Sequence, residues 1–297
     1  MKKILNNRLQ GLQFTLAPVY FLAPAFILFT VFVIWPIIQS IWISFHSWNG
    51  FGDMTWRGLQ NYTELFGDPD FKISILNNVK WLLLSLLAPV IGLFIALLLN
   101  QQIRGMRVAK SLFFFPFVIN LVVIGLIFSW FYNPDLGLLA ELFRAIGLDP
   151  LPILADENLA TYGIILAALW PQTAYCMILY LTGLSCMNSQ VIEAGRIDGA
   201  SGWSMLWNVV IPQLRGASFI AIVVTIIGSL RSFDLIAIMT AGGPWGSSNV
   251  LAYFMYEESL FNFKMGYGAA IAAVLFLIMA VFIVFFLRSV LISERRQ

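Results

Sequence analysis

The amino-acid sequence predicts an all-α protein that crosses a membrane about six times. Of its 297 residues, 60% are hydrophobic and 11% are charged, whereas a soluble domain carries about 25% charged residues. Because a spanning helix needs roughly 20 apolar residues, each of five runs without Lys, Arg, Asp or Glu suffices for one. These runs are 9–52, 81–103, 111–134, 158–192 and 265–287. They are apolar throughout, unlike the alternating strands of a β-barrel.

The first predicted helix, 16–46, lies in the longest uncharged run. Lys2 and Lys3 resemble the start of a secretory signal, but the apolar part of such a signal is about 7–15 residues long. Here apolar residues continue to Ile43. We therefore expect the helix to be retained, and three prolines predict an interfacial piece followed by a kinked span. They are Pro18, Pro24 and Pro36.

The other predicted helices follow the remaining apolar segments: 75–100, 110–132, 161–187, 213–240 and 266–290. The fifth is apolar from Gly216 to Thr240 except for Arg231 and Asp234. Turn residues mark the connections 47–74, 133–160 and 241–265. Aromatic residues near predicted helix ends are typical of interfacial anchors. They are Trp42, Trp48, Trp56, Trp81, Trp130 and Tyr132.

The Lys and Arg residues of the short connections predict the orientation in the membrane. Eleven of them fall in the N-terminus, the second connection, the loop around Glu193 and the C-terminus. The opposite side has five, set among eleven acidic residues. We therefore expect both termini and the Glu193 loop to be cytoplasmic.

Enzymatic chemistry finds little support in the sequence. His46 is the single histidine, and its place beside Trp42 and Trp48 favours interfacial packing over catalysis. The segment 105–111 lacks the second glycine and the spacing of a phosphate-binding loop. We predict that the chain is no enzyme, holds no cofactor and binds no ATP itself. Active transport would then need another subunit or an ion gradient.

Arg231 and Asp234 are the charged residues inside the apolar segment Gly216 to Thr240 of the fifth predicted helix. Their i, i+3 spacing places both on one face of a helix. Two interpretations stay open: an internal ion pair, or contact with a polar substrate in a water-filled cavity. Secondary transporters usually carry more such groups, with inverted repeats and broken helices.

The segment from Glu193 to Pro212 is the longest polar interruption between two apolar segments. Gly199 and Gly202 permit tight turns, so we predict short helices divided by glycine, with Glu193 and Asp198 near helix N-termini. An exposed apolar face on these short helices would mark a partner site. Its members are Trp203, Met205, Leu206 and Trp207. The alternative is a re-entrant loop packed on its own bundle.

This segment carries a family resemblance. Residues 193–200 read EAGRIDGA and Pro212 closes the loop, which resembles the EAA motif of permease subunits in binding-protein-dependent ABC importers. Gly195 departs from the motif, which usually has a second alanine there. Glycine lowers helix propensity by about 1 kcal/mol, which puts the stiffness of this helix in question.

Two further segments resemble the carbohydrate importer class. Residues 233–235 (FDL) and 240–244 (TAGGP) resemble its FD…TxGGP segment, and 22–25 (LAPA) with 35–37 (WPI) resemble the opening helix of its MalF-like half. The resemblance covers essentially the whole chain. It implies a type I ABC importer permease fold in one transmembrane domain, 1–297.

The resemblance also implies a function. The chain would be half of the translocation pathway of a binding-protein-dependent sugar importer in a bacterial inner membrane. Its partners would be a second permease, two subunits that bind ATP and Mg²⁺, and a solute-binding protein. The loop at about 188–213 would couple to the ATPase. The coupling residues would be Glu193, Ala194, Asp198, Gly199 and Pro212. Alternatives are an ion-coupled carrier and an ABC permease for a non-sugar solute such as a glycerol phosphate.

The same resemblance indicates where sugar would bind, because matching stretches of the maltose importer line its sugar site. Aromatic faces suit the C–H surfaces of sugars and polar groups suit their hydroxyls. The candidates are Trp170, Gln172, Tyr175, Thr225, Ser229, Arg231 and Ser232. Each of them could instead be a residue of helix packing.

Overall fold

The structure, a computed structural model, describes residues 19–101 and 103–294. Its helices are α1 (Val19–Ile43), α2 (Gln60–Gly67), α3 (Pro69–Ser85), α4 (Leu87–Leu99), α5 (Met106–Val118), α6 (Leu121–Phe131), α7 (Leu138–Ala145), α8 (Ala160–Ser185), α9 (Ser189–Ile197), α10 (Gly202–Gln213), α11 (Arg215–Leu230), α12 (Asp234–Met239), α13 (Leu251–Tyr256) and α14 (Met265–Glu294). A small hairpin pairs β1 (His46–Ser47) with β2 (Thr55–Trp56). The all-α class is confirmed.

Membrane spans follow from length and composition. Within the described residues, four segments are long and apolar enough to cross a bilayer: α1, the α3–α4 pair, α8 and α14 up to Phe286. Two bent helix pairs raise the number to as many as six if each is one span. These pairs are α5 with α6, bent by 97°, and α10 with α11, bent by 73°. This range includes the six predicted spans.

The predicted helix 110–132 is broken in the structure. Ile119 is extended, and the Asn120 side chain accepts a hydrogen bond from Val122 N at 2.8 Å. This N-cap starts α6 in a new direction, since a capping asparagine has a non-helical backbone. Propensity alone did not predict the break.

The predicted helix 213–240 is also wrong as one element. α11 ends at Leu230, the Phe233 backbone (φ −143°, ψ −56°) is not helical, and α12 begins at Asp234. Arg231 and Asp234 therefore do not share a helical face. They form no ion pair with each other; the ion pairs among the described residues lie elsewhere.

Other helix ends differ from the predictions for local reasons. α3 begins at Pro69 because Asp68 caps it, accepting from Asp70 N at 2.8 Å. α1 is continuous through Pro24 and forms a π-helical turn, Thr30–Ile34, just before Pro36. Pro18 lies outside the described residues.

Two of the predicted interfacial anchors are instead buried. Trp42, Trp56 and Trp130 are exposed, as anchors should be, but Trp81 and Tyr132 are each only 3% exposed. Both belong to an apolar cluster of α3, α6, α8 and α12. α3 begins at Pro69, before the predicted start at residue 75, so Trp81 lies in the interior of this helix and not near its end.

The packing of α4 on α8 depends on a missing side chain. A Cβ on Gly92 would lie 2.7 Å from Cys176 Cβ and 2.9 Å from the Met177 backbone nitrogen. Real Cβ atoms do not approach so closely, so only glycine allows this contact between the helices. The helices bring together a second apolar cluster that includes Ala88, Ala96 and Tyr180.

Buried amides fix the segment that follows α12. Asn77 Nδ2 donates to Ser247 O at 2.6 Å and to Asn249 O at 2.8 Å, and Asn78 Oδ1 accepts from Leu251 N at 2.9 Å. Both asparagines are buried on α3. Because such groups are costly to bury unpaired, this connection is tied to the bundle.

We expect Gly92→Ala to lower the apparent unfolding temperature of the detergent-solubilised protein. Overpacking a tight contact costs about 1–3 kcal/mol, and the atoms it meets are a backbone nitrogen and a Cβ, which cannot swing away. Gly216→Ala is the matched control, because a Cβ there meets nothing within 4 Å. Equal unfolding temperatures for the two variants would contradict the packing argument.

Candidate functional sites

The loop 188–213 is closed at its base. The Asn188 backbone N–H donates to Gln213 Oε1 at 3.2 Å, and the Asn188 side chain caps α9 by accepting from Gln190 N at 2.9 Å. The first and last residues of the predicted loop are thus joined. The loop leaves and re-enters the bundle at one place.

Gly199 ends α9 with a Schellman motif. Its φ is +82°, its N–H donates to Arg196 O at 3.1 Å, and Ala200 N donates to Gly195 O at 2.9 Å. This pair of bonds requires a left-handed residue, which is glycine's usual role. The prediction of short helices divided by glycine is confirmed.

The expected placement of the acids near helix N-termini is wrong. Asp198 is the C-terminal cap of α9, and Glu193 is the fifth residue of the helix. Both are exposed, and neither forms an ion pair within the described part of the chain. Their charges are free for a partner.

Gly195 packs α9 against α10. A Cβ there would lie 3.0 Å from Val209 Cγ2, 3.5 Å from Met205 Cε and 3.6 Å from Met205 Sδ. An alanine would fit only if the Val209 side chain moved by a few tenths of an ångström. The departure from the EAA motif therefore has a structural reason, and the stiffness of α9 comes partly from its contact with α10.

An apolar surface covers the outside of α10. Trp203 and Trp207 are 65% and 53% exposed, with ring centroids 5.8 Å apart. Ile197, at the end of α9, is exposed as well. These side chains are not packed on the bundle, which disfavours the re-entrant alternative. Met205 and Leu206 are half-buried.

A cavity of about 270 Å³ lies where both breaks meet. Ile119 and Leu121 line it from the α5–α6 break, and Arg231, Ser232 and Phe233 from the α11–α12 break. Five of the predicted substrate residues share this cavity: Gln172, Thr225, Ser229, Arg231 and Ser232. Some polar side chains of the cavity are hydrogen-bonded to other protein atoms, and others have no partner among the described residues.

Several of these polar side chains are hydrogen-bonded within the protein. Gln172 Nε2 donates to Thr225 Oγ1 at 2.9 Å, and Ser229 Oγ donates to Ile226 O at 2.9 Å. Ser232 Oγ makes a longer bond, 3.4 Å, to Gly228 O. The Arg231 and Asp234 side chains, by contrast, have no hydrogen bond or ion pair among the residues that the structure describes.

Trp170 and Tyr175 do not line this cavity. Trp170 lies in a neighbouring apolar groove and meets Phe128 at 5.8 Å between ring centroids. Tyr175 packs against Phe117, 5.2 Å away, and Phe117 does line the cavity. Tyr175 thus supports the wall from behind.

Several residues that line the cavity were missed by sequence reasoning. They include Trp81, Ser85, Phe117 and Phe233, while Asp234, which the sequence had singled out together with Arg231, lines the cavity too. The available signal was the pair of helix breaks, since broken helices inside membrane proteins line cavities. His46, as predicted, is a packing residue: it is 7% exposed, and its ring lies 5.0 Å from those of Trp42 and Trp56.

Apolar spans, helix breaks around a polar cavity and a closed loop outside the bundle define a multi-pass membrane transport protein. Residues 88–297 match the family described as binding-protein-dependent transport system inner membrane component. The chain belongs to this family. It is a permease subunit of an ABC importer.

Relatives agree along the whole length. The chain is 36% identical to the probable ABC transporter permease protein YurN of Bacillus subtilis, over 90% of this chain and 93% of that protein. It is 32% identical to the sn-glycerol-3-phosphate transport system permease protein UgpA of Brucella abortus, covering 92% and 94%. It is 31% identical to the alpha-glucoside transport system permease protein AglF of Rhizobium meliloti, covering 93% and 82%.

Solved structures share the fold. One chain of a bacterial ABC transporter involved in import of the acidic polysaccharide alginate superposes with a TM-score of 0.82 at 21% identity, covering 97% of this chain and 99% of that one. A chain of the alginate transporter in complex with alginate pentasaccharide-bound periplasmic protein gives 0.81, also at 21% identity, covering 94% and 96%. The type I importer permease fold is confirmed.

We expect Gly195→Leu to separate α9 from α10, because the larger side chain would overlap Val209 and Met205. Loosened helices expose backbone to proteases, so trypsin should cleave after Arg196 faster in the solubilised protein. Ala194→Leu makes the same change at an exposed neighbour and should leave the cleavage rate unchanged. A rate for Gly195→Leu equal to that of the control would refute the contact.

Proposed function

We propose that this chain forms half of the translocation pathway of an ATP-driven sugar importer, with loop 188–213 as its contact to the ATPase. The observation that carries the proposal is the loop itself. It is closed at Asn188 and Gln213, its two helices are in contact at Gly195 and divided at Gly199, and the exposed Glu193 forms no ion pair among the described residues.

Coupling would work through rigid-body motion. Two ATP-binding subunits, which hold ATP and Mg²⁺, would receive the loop in a cleft, with Glu193 as the ionic anchor and the Trp203–Trp207 surface as the apolar contact. Aromatic side chains that become buried at an interface are typical of the residues that dominate its binding energy. Closure of the ATP-binding subunits would then move α9 and α10 as one body and switch the cavity between the two sides.

Ala194, Asp198 and Pro212 would complete the contact. Ala194 and Asp198 are exposed on the same short helix and its cap, and Pro212 lies in the last segment of α10, next to the bend into α11. In this proposal the chain itself hydrolyses no ATP and holds no cofactor.

The orientation follows the distribution of charge. We infer a bacterial inner-membrane protein with both termini and loop 188–213 in the cytoplasm, and a domain that spans 1–297. The ion pairs Arg57–Glu64, Arg144–Glu141 and Lys264–Glu258 all lie in the connections assigned to the other side. A solute-binding protein would approach that side, and a second permease would form the other half of the pathway.

Sugar is the substrate class that the cavity favours. Aromatic side chains at Trp81, Phe117 and Phe233 line it together with polar ones, and the opposite charges of Arg231 and Asp234, which form no ion pair within the described residues, are available for hydroxyl groups. Relatives with sugar names, such as AglF, and the sulfoquinovosyl glycerol transport system permease protein SmoG of Agrobacterium fabrum agree with this class.

One observation favours a second candidate, an anionic solute such as a glycerol phosphate. Arg231 lines the cavity without an ion pair in the described residues, and an arginine fork suits phosphate or carboxylate. Asp234 in the same wall opposes this reading, because it would repel the anion. An ion-coupled carrier has no comparable support, because the family consists of ABC importer components.

Uptake by the reconstituted importer tests the proposal. The complete complex in proteoliposomes, with ATP inside and its binding protein outside, should accumulate one of maltose, trehalose, sucrose, raffinose or lactose. Accumulation of sn-glycerol 3-phosphate alone would favour the second candidate. Uptake driven by a proton or sodium gradient without ATP would contradict the proposal.

We expect Glu193→Ala to uncouple the importer, because the loop would lose its ionic anchor. Loss of a charge-assisted contact of this kind costs about 1.5–3 kcal/mol, so uptake and substrate-stimulated ATP hydrolysis should fall by roughly tenfold to a hundredfold. Membrane insertion should not change. Both activities are measured in proteoliposomes.

Glu157→Ala is the matched control for this change. Glu157 is an exposed carboxylate without an ion pair in the described chain and lies in the connection between α7 and α8, on the predicted outer side. It should transport normally. Wild-type coupling in Glu193→Ala would remove the loop from the proposed mechanism.

A further inference from the structure

Trp81 lines the cavity and carries a buried N–H group that has no hydrogen-bond partner within the described residues. It lies on α3, is 3% exposed and lines the 270 Å³ cavity. Its Nε1 has less than 1 Å² of accessible surface and finds no acceptor among residues 19–101 and 103–294.

Trp81 differs from the other residues that carry unpaired buried atoms because it lines the cavity. The other buried side-chain atoms without a hydrogen bond in the described chain belong to Ser74, Ser129, Ser247 and Glu258. None of these residues lines the cavity. Glu258 also has Lys264 Nζ at 2.9 Å.

An indole N–H can donate but cannot accept, so only an acceptor atom can pair it. Buried polar groups in proteins are nearly always hydrogen-bonded, and each exception calls for an explanation. A bound ligand with an acceptor oxygen is one. The wall around Trp81 suits such a ligand, with aromatic rings at Phe117 and Phe233 and a hydroxyl at Ser85.

We propose that Trp81 is a substrate-binding residue, whose indole N–H donates to a hydroxyl oxygen of the sugar while its ring packs against the sugar's C–H face. This inference rests on the proposed function. Because Nε1 is closed to water in this conformation, the contact forms when the rigid-body switch widens the cavity. The sequence had placed Trp81 at a membrane interface, where it would not meet substrate.

Sugar retention by the trapped importer tests the proposal. The complete complex is held with ADP and vanadate, and the dissociation constant is measured for whichever radiolabelled sugar of the panel the wild type imports. Trp81→Phe keeps an aromatic ring and removes the N–H, so the constant should rise roughly tenfold. Trp130→Phe, at an exposed position outside the cavity, should leave it unchanged.

Monodeoxy analogues separate donation from a structural role. One analogue should bind the wild type roughly tenfold more weakly than the parent sugar, and Trp81→Phe should no longer distinguish the two. If every analogue keeps its wild-type penalty in Trp81→Phe, or if retention is unchanged, the proposal is overturned. Trp81→Leu, which also lacks a donor, serves the same comparison if Trp81→Phe does not assemble.

The outcomes for the two proposals are distinct. Retention of sugar by the wild type together with unchanged binding by the Trp81 variants overturns the role of Trp81 alone. A wild-type complex that retains and imports no sugar overturns the proposed function, and the role of Trp81 with it.

Discussion

Lipid gives an unpaired backbone group no partner, and the rest of the structure depends on this constraint. A helix inside the membrane can break only where protein or a cavity satisfies the freed groups. Here two breaks, at Ile119–Asn120 and at 231–233, meet at one cavity. The breaks therefore do more than redirect the chain, because they place polar side chains and the charged residues Arg231 and Asp234 along one cavity.

Outside the bundle, water can pair free backbone groups, and the path of the chain depends instead on the backbone conformations of glycine residues. Gly199 supplies the left-handed residue that closes α9, and Gly195 lets α9 lie directly on α10. The result is a short two-helix unit whose base is hydrogen-bonded at Asn188 and whose outer face is aromatic. These features suit the proposed coupling role, since a contact that transmits motion needs a rigid interior and an apolar outer face.

The sequence was sufficient for the features that depend on composition and local pattern. The apolar runs located the spans, and Gly199 divided the loop, because both signals are contained in neighbouring residues. The features that depend on distant residues could not be predicted. The end of α11 at Leu230 and the burial of Trp81 follow from how α3, α8 and α12 pack together. Five of the seven predicted substrate residues nevertheless share one cavity.

The contact between Gly195 and Val209 has a consequence for sequence change in this family. With 3.0 Å available for a Cβ, the two positions divide a fixed volume, so a larger residue at one requires a smaller or shifted residue at the other. Related permeases that have the usual alanine at the position of Gly195 should therefore have a smaller or shifted residue at the position of Val209. In this chain, glycine at position 195 leaves the space that the Val209 side chain occupies.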